Sequence, residues 1–285
     1  KSDRRNCDLS FSNLCSWRFL YDTQFAVIDD FLVFKFWAGE QLAYMMPVGN
    51  GDLKAVLRKL IEDADKEKHN FCMLGVCSNM RADLEAILPE RFIFTEDRAY
   101  ADYIYLRSDL ATLKGKKFQA KRNHINRFRN TYPDYEYTPI TPDRIQECLD
   151  LEAEWCKVNN CDQQEGTGNE RRALIYALHN FEALGLTGGI LHVNGKIVAF
   201  TFGMPINHET FGVHVEKADT SIDGAYAMIN YEFANRIPEQ YIYINREEDL
   251  GIEGLRKAKL SYQPVTILEK YMACLKDHPM DMVRW

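Results

Sequence analysis

The chain is 285 residues long, 46% hydrophobic, and carries a formal net charge of −7. That is enough apolar content to bury one large core or two ordinary ones, and an acidic whole argues against broad nucleic-acid binding. No apolar run nears the roughly 20 residues that span a bilayer, nothing at the start reads as a signal peptide although the sequence opens at Lys1, and the 8 cysteines contain no CxxC pair, which reads as reduced thiols in a cytoplasmic protein without a metal centre.

Taken in order, Phe25 to Trp37 is rich in Val, Ile and Phe and is followed after Ala38-Gly39 by Gln41 to Val48, a hairpin pattern. Asp52 then caps a helix whose Leu53, Val56, Leu57, Leu60 and Ile61 recur at helical spacing. A strand over Phe71 to Val76, a helix from Met80 to Leu88, and a strand pair at Phe92–Phe94 and Tyr103–Leu106 complete a mixed α/β unit. Beyond residue 140 come a helix opened by Thr141-Pro142, a polar loop from Asn159 to Gly168 that reads as a mobile lid, and a helix from Asn169 to about Leu184. Gly188–Val193 and Lys196–Gly203 flank Asn194-Gly195, a strong hairpin signal. Thr210–Glu216 is a third strand, Gly224–Ile237 a helix stopped by Pro238, Tyr241–Asn245 a strand, Ile252–Tyr262 a short helix and Val265–Tyr271 a last strand.

Between the two halves, no acid occurs from residue 110 to 133, and Lys114, Lys116, Lys117, Lys121, Arg122, Arg127 and Arg129 gather there. The rest of the chain, −7 less those seven cations, stands at −14. On a helix, Phe118, Ile125 and Phe128 share a narrow apolar side with cations along both shoulders. One reading is a solvated helix with snorkelling stems; the other is a site for the phosphates of a nucleotide, coenzyme or RNA.

The element order of the second half is that of the GCN5-related N-acyltransferase (GNAT) fold. From Lys114 onward the chain resembles the C-terminal domain of phosphatidylglycerol lysyltransferases, itself similar to Fem-type aminoacyltransferases. The resemblance is carried by Lys117–Arg127, Gly195–Phe200, His214–Lys217, Gly224–Asn230 and Asn245–Tyr262. It implies an α/β (α+β) tandem GNAT-like fold of two mixed sheets flanked by helices. The expected layout is an N-terminal unit over residues 1–110, the basic helix at the seam over 111–135, and a C-terminal unit over 136–285 with the transfer site. Such folds serve acyl-coenzyme A and charged tRNA alike, so the fold does not choose the donor. Users of acetyl-coenzyme A carry a Gly-rich turn that presents backbone N–H groups to pyrophosphate. Here that turn reads Ser221-Ile-Asp-Gly-Ala-Tyr226, and Asp223 puts negative charge where phosphate would sit.

Acyl transfer needs a base, an oxyanion donor and an acid for the leaving group. Glu216 and His214 alternate with valines, so both are expected on one strand face. Glu216 is assigned as base or amine ligand, with an ion pair to Lys217 or Arg246 as the structural alternative. Tyr262 matches the position of the GNAT general acid, with plain packing as its alternative. Asn245 is placed at the transfer point, His214, Arg246, Glu247 and Asp249 at the substrate, and Lys117, Lys121, Arg122 and Arg127 at donor phosphates. The leading expectation is an acyl or aminoacyl transferase that uses aminoacyl-tRNA or acyl-CoA and a small-molecule or lipid-headgroup acceptor. A non-catalytic metabolite- or RNA-binding module is the second reading and a coenzyme A-dependent N-acetyltransferase the third.

Overall fold

Short acidic side chains tolerate left-handed backbone, and the chain uses this at once. Asp29 and Asp30, with φ of 49° and 64°, form a two-residue turn that joins β1 (Gln24–Ile28) to β2 (Phe31–Ala38). The stretch read as continuous strand is therefore a hairpin in itself, because Asp-Asp is a weaker turn signal than Asn-Gly. Short helices α1 (Phe11–Ser16) and α2 (Arg18–Tyr21) precede it, and β3 (Gln41–Tyr44) and β4 (Val48–Gly49) follow. Asp52 caps α3 (Leu53–Lys66) by accepting from the Ala55 N–H at 3.2 Å, and Val56, Leu57, Leu60 and Ile61 are buried beneath it. Next come β5 (Cys72–Cys77), α4 (Ser78–Ile87) and β6 (Phe92–Glu96).

A computed structural model describes residues 4–159 and 165–276. The second half runs β7 (Asp102–Leu106), α5 (Arg107–Thr112), α6 (Gln119–Thr131), β8 (Glu136–Pro139), α7 (Ile145–Asn159), α8 (Glu165–His179), β9 (Thr187–Val193), β10 (Lys196–Pro205) and β11 (Thr210–Ala218). It closes with α9 (Ala225–Ala234), β12 (Tyr243–Asn245), α10 (Glu253–Leu260), β13 (Thr266–Leu268) and β14 (Lys270–Leu275). Helix α8 already starts at Glu165; residues 160–164 of the expected lid, with Cys161, lie outside the described residues.

Two seven-stranded mixed sheets result. The first runs β1-β2-β3-β5-β14-β6, with β4 against β2; the second runs β13-β7-β12-β11-β10-β9-β8. The expected pairing of Phe92–Phe94 with Tyr103–Leu106 does not occur. Strand β6 pairs with β14 in the first sheet, whereas β7 pairs with β12 and β13 in the second. The expected last strand is likewise divided, β13 serving one sheet and β14 the other. Two strands thus cross the boundaries drawn from sequence, because pairing partners lie more than 130 residues apart, beyond the reach of local pattern.

The crossing brings Cys274 opposite Cys72, and the two form a disulfide with Cα atoms 4.1 Å apart. This corrects the reading of all cysteines as thiols: strand register created a pair that spacing did not show. The other end of β14 holds Lys270, buried, with its ammonium 2.9 Å from Asp8, 2.9 Å from Asp102 and 2.5 Å from Glu248. Three carboxylates face one cation, so burial raises the Glu248 carboxyl to about 7, with Asp102 and Asp8 adding to the rise against the pull of Lys270.

Two outcomes are expected. Lys270→Met should destabilise the fold by about 3–5 kcal/mol, since it leaves buried carboxylates unpaired; chemical denaturation measures this. The folded protein holds a proton on Glu248 that the unfolded chain, with its carboxyl at the ordinary 4.5, releases. Stability should therefore fall as pH rises between about 4.5 and about 7, and Glu248→Gln should flatten that slope in thermal melts.

Candidate transfer site at a strand splay

Strands β11 and β12 are parallel for three pairs, Thr210 with Tyr243, Phe211 with Ile244 and Gly212 with Asn245. Beyond that point they part. The Arg246 N–H donates to the Tyr103 carbonyl at 3.0 Å and the Tyr103 N–H to the Glu247 carbonyl at 3.1 Å, which holds this segment against β7. Strand β11 instead stays with β10 as far as Ala218. The splay so formed has Val213–Ala218 on one side and Arg246–Asp249 on the other.

Phe202 pairs with Val215 and Gly203 with Val213, so His214 is an extra residue in a β-bulge. The bulge reverses the alternation. Phe211 and Val213 pack on the α9 side with Phe233, Val215 packs on the α7/α8 side with Phe202 and Leu174, and Ala218 is back beneath α9. Glu216 and His214 therefore point to opposite faces, which corrects the expectation that they share one; the strand pattern alone holds no sign of the bulge.

On the α9 face, Glu216 accepts from Arg246 Nη2 at 2.9 Å and from Asn230 of α9 at 3.3 Å. The Arg246 guanidinium lies 4.7 Å from the centre of the Tyr262 ring, and the Lys121 ammonium, from α6, lies 3.9 Å from the same ring. Burial, and then the charge of Arg246, lowers the Lys121 ammonium to about 8. Burial pushes the Tyr262 phenol well up, so it is a neutral hydroxyl at physiological pH. Lys259 of α10 donates to the Arg246 carbonyl, and Tyr105 donates to the Lys259 carbonyl at 2.8 Å, which fixes the backbone behind the guanidinium. Residue spacing did not single out Asn230, Lys259 or Tyr105; a buried Asn on an otherwise apolar helix face was the available signal.

On the opposite face, His214 Nδ1 meets Glu247 at 2.7 Å and its Nε2 meets the Ser10 hydroxyl at 3.0 Å, while Asn13 donates to Glu247 at 2.8 Å. This Ser-His-carboxylate line has the order of a nucleophilic triad, but Ser10 is 1% exposed, so no substrate reaches its oxygen. It ties the N-terminal segment to the splay.

Of the remaining expected site residues, Asn245 is fully buried and donates to Asp102 at 2.8 Å and to the Arg5 carbonyl at 2.7 Å. Asp249 is gripped by Arg256, Arg98 and Tyr103; burial would raise its carboxyl, but the hydrogen bonds from Arg256 and Tyr103 hold it well below the usual range. Lys117 pairs with Asp109 at 2.8 Å, and Arg122 donates to the carbonyls of Leu113 and Gly115, so these two do not reach the splay. Arg127 pairs with Asp223 at 2.6 Å. Gly224, at φ 84°, lies so close to α6 that a Cβ would sit 3.0 Å from the His124 carbonyl oxygen. Helix α6 thus covers the N-terminal turn of α9, where a GNAT enzyme would present N–H groups to pyrophosphate. An open depression of about 480 Å³, lined by residues including Arg81, Phe94 and Lys276, lies on the first sheet, away from this chemistry.

The fold is a mixed α/β one of two seven-stranded sheets with a splay between parallel strands, and the comparisons place it. The chain belongs to the family described as phosphatidylglycerol lysyltransferase, C-terminal, whose model matches residues 1–274. It is similar to the C-terminal DUF2156 domain of a protein described as a lysylphosphatidylglycerol synthetase from Agrobacterium fabrum, with a TM-score of 0.71 and 13% identity, over 96% of this chain and 88% of that one. It is also similar to L-PGS from Bacillus licheniformis, with a TM-score of 0.64 and 17% identity, over 99% and 96% of the two chains. A protein of Mycoplasmoides gallisepticum is 25% identical over 177 residues; the match takes in 60% of this chain and 55% of that relative, about half its length. None of the described helices is long and apolar enough to cross a membrane.

Lys121 offers a test of the site's electrostatics. Its folded-state ammonium loses its proton near 8 rather than at 10.5, so the folded chain holds fewer protons than the unfolded one in that window and wild-type stability should climb with pH across it. Lys121→Met should lack this rise and melt higher than wild type at pH 7, as read by thermal melts across pH 7 to 10.5.

Proposed function

We propose that the chain is an aminoacyltransferase of the lysyl-phosphatidylglycerol synthase type, which moves an aminoacyl group from a charged tRNA to the hydroxyl of a lipid headgroup. The observation that carries this reading is the convergence of Glu216, Arg246, Tyr262 and Lys121 at the splay, with α6 lying over the turn that coenzyme A would need. In this reading Glu216, aligned by Arg246 and Asn230, accepts the proton of the attacking hydroxyl, and Tyr262 returns a proton to the departing ribose oxygen. The ion pair seen in the resting site is the form from which substrate frees Glu216. Of the four cations assigned to donor phosphates, Lys121 reaches the splay. Lys117 and Arg127 are in exposed ion pairs, which are weak enough for a polyanion to exchange, and Arg122 acts through the backbone of the loop before α6. A tRNA donor implies action in the cytoplasm; the Cys72–Cys274 disulfide pulls against a reducing compartment and makes thiol titration of the native protein informative.

The test supplies lysyl-tRNA, other aminoacyl-tRNAs and acyl-CoA with phosphatidylglycerol vesicles. Transfer from an aminoacyl-tRNA is expected, steeply weakened by salt. Glu216→Gln and Tyr262→Phe should each lower turnover by roughly a hundredfold or more while tRNA binding persists. Turnover unchanged in both variants would return the chain to a binding module, and transfer from acyl-CoA alone would make it a coenzyme A-dependent enzyme.

A further inference from the structure

We propose that the outer edge of β1 is a docking site for an extended segment of a partner protein. The segment adds to the first sheet as a further strand, apolar in its middle and with Lys or Arg at its ends. The site stands apart from the strand splay and does not depend on the transferase reading.

Each sheet has two edge strands. Three of the four are blunted by features that discourage further pairing: β13 is 3 residues long, β8 is 4 residues long and ends in Pro139, and β6 ends in Glu96. Strand β1 has none of these. It is 5 residues long, Gln24 to Ile28, without charge, proline or bulge, and its register with β2 is unbroken. Ile28 stands opposite Phe31 across the Asp29-Asp30 turn. Gln24, Ala26 and Ile28 therefore exchange backbone bonds with β2, and the N–H and C=O groups of Phe25 and Val27 point away from the sheet. The side chains of the same two residues are 76% and 72% exposed. Outward ladder groups beside exposed apolar side chains are what strand addition uses.

Charge decides the occupant. Asp22, before the strand, and Asp30, after it, are exposed and in no ion pair among the described residues, while Asp29 is held by Lys59 at 2.8 Å. A strand laid along β1 thus meets carboxylates at both ends, and cations there complement them. A second copy is disfavoured. Antiparallel pairing centred on Ala26 sets Phe25 against Val27 of the copy but Asp22 against its Asp30, and each chain carries a net charge of −7. The same carboxylates repel an anionic bilayer. Residues 277–285 of this chain bring two acids, Asp277 and Asp281, to one cation, Arg284, and so have the wrong sign.

The test titrates the full chain into a fluorescent peptide of alternating Thr and Val with a Lys pair at each end, beside the same peptide with Glu in place of Lys, and reads anisotropy. The Lys-ended peptide is expected to bind, more weakly as salt rises, and the Glu-ended one to stay free. Val27→Pro removes an outward N–H without touching the β1–β2 ladder and should weaken binding at least about tenfold. Asp22→Asn with Asp30→Asn should weaken it about three- to tenfold. Asn tolerates the left-handed backbone at both positions, φ 44° and 64°, so this pair tests the site even if Val27→Pro misfolds by circular dichroism. Equal binding of the two peptides, or affinity unmoved by these variants, overturns the proposal. A dimer in analytical ultracentrifugation that Val27→Pro dissolves overturns it in favour of a second copy, and pelleting with phosphatidylglycerol vesicles that Val27→Pro abolishes overturns it in favour of a membrane.

Discussion

The ammonium of Lys270 is the interaction on which the rest of the molecule depends. It draws together Asp8 from the N-terminal segment, Asp102 from the second sheet, Glu248 from the loop after β12, and, through its own strand, the first sheet. A buried ion cluster is weak evidence for stability in itself, but it imposes geometry: each carboxylate must be where the cation is. Asn245 extends the cluster by donating to Asp102 and to the Arg5 carbonyl, so the last residue of β12 is fixed where the splay begins. The direction in which Arg246 leaves the sheet is set by this anchor.

Charge is distributed unevenly about that anchor. The Lys270 cluster has more carboxylates than cations and holds a proton to compensate; beside Tyr262, Arg246 and Lys121 face Glu216, and Arg246 holds an orphaned N–H. Each is unfavourable alone, and local conflict of this kind is expected where a protein trades stability for a site. Arg246, Glu247 and Glu248 are consecutive, yet they face Glu216, the His214 line and the Lys270 cluster respectively. One short segment thus couples the site to both units of the fold.

The basic helix has more than one role. Its apolar side, Ile125 and Phe128 with Phe118 just before it, packs into the second unit as the helical pattern requires. Its cations include surface pairs, a backbone clamp by Arg122, and Lys121 over the Tyr262 ring. The solvated-helix reading therefore describes the surface pairs, while Lys121 lies against the Tyr262 ring.

Much was legible in the sequence because it rests on local chemistry. Asn194-Gly195 makes a two-residue turn, Asp52 caps its helix, and the apolar spacing of residues 53–61 and 225–233 gives buried helix faces. The element order defines the fold, and the motif from Asn245 to Tyr262 points to the segment that lines the splay. Other features needed the assembled molecule. The exchange of β7 and β14 between sheets, the Cys72–Cys274 pair and the Lys270 cluster all join residues from opposite ends of the chain, and no local periodicity encodes a partner at that distance. The bulge at His214 lies within a strand that alternates as any strand does, so only its pairing with β10 shows that Glu216 and His214 face apart. Which of seven neighbouring cations reaches Tyr262 follows from how α6 seats on α9, a matter of packing that residue type does not fix.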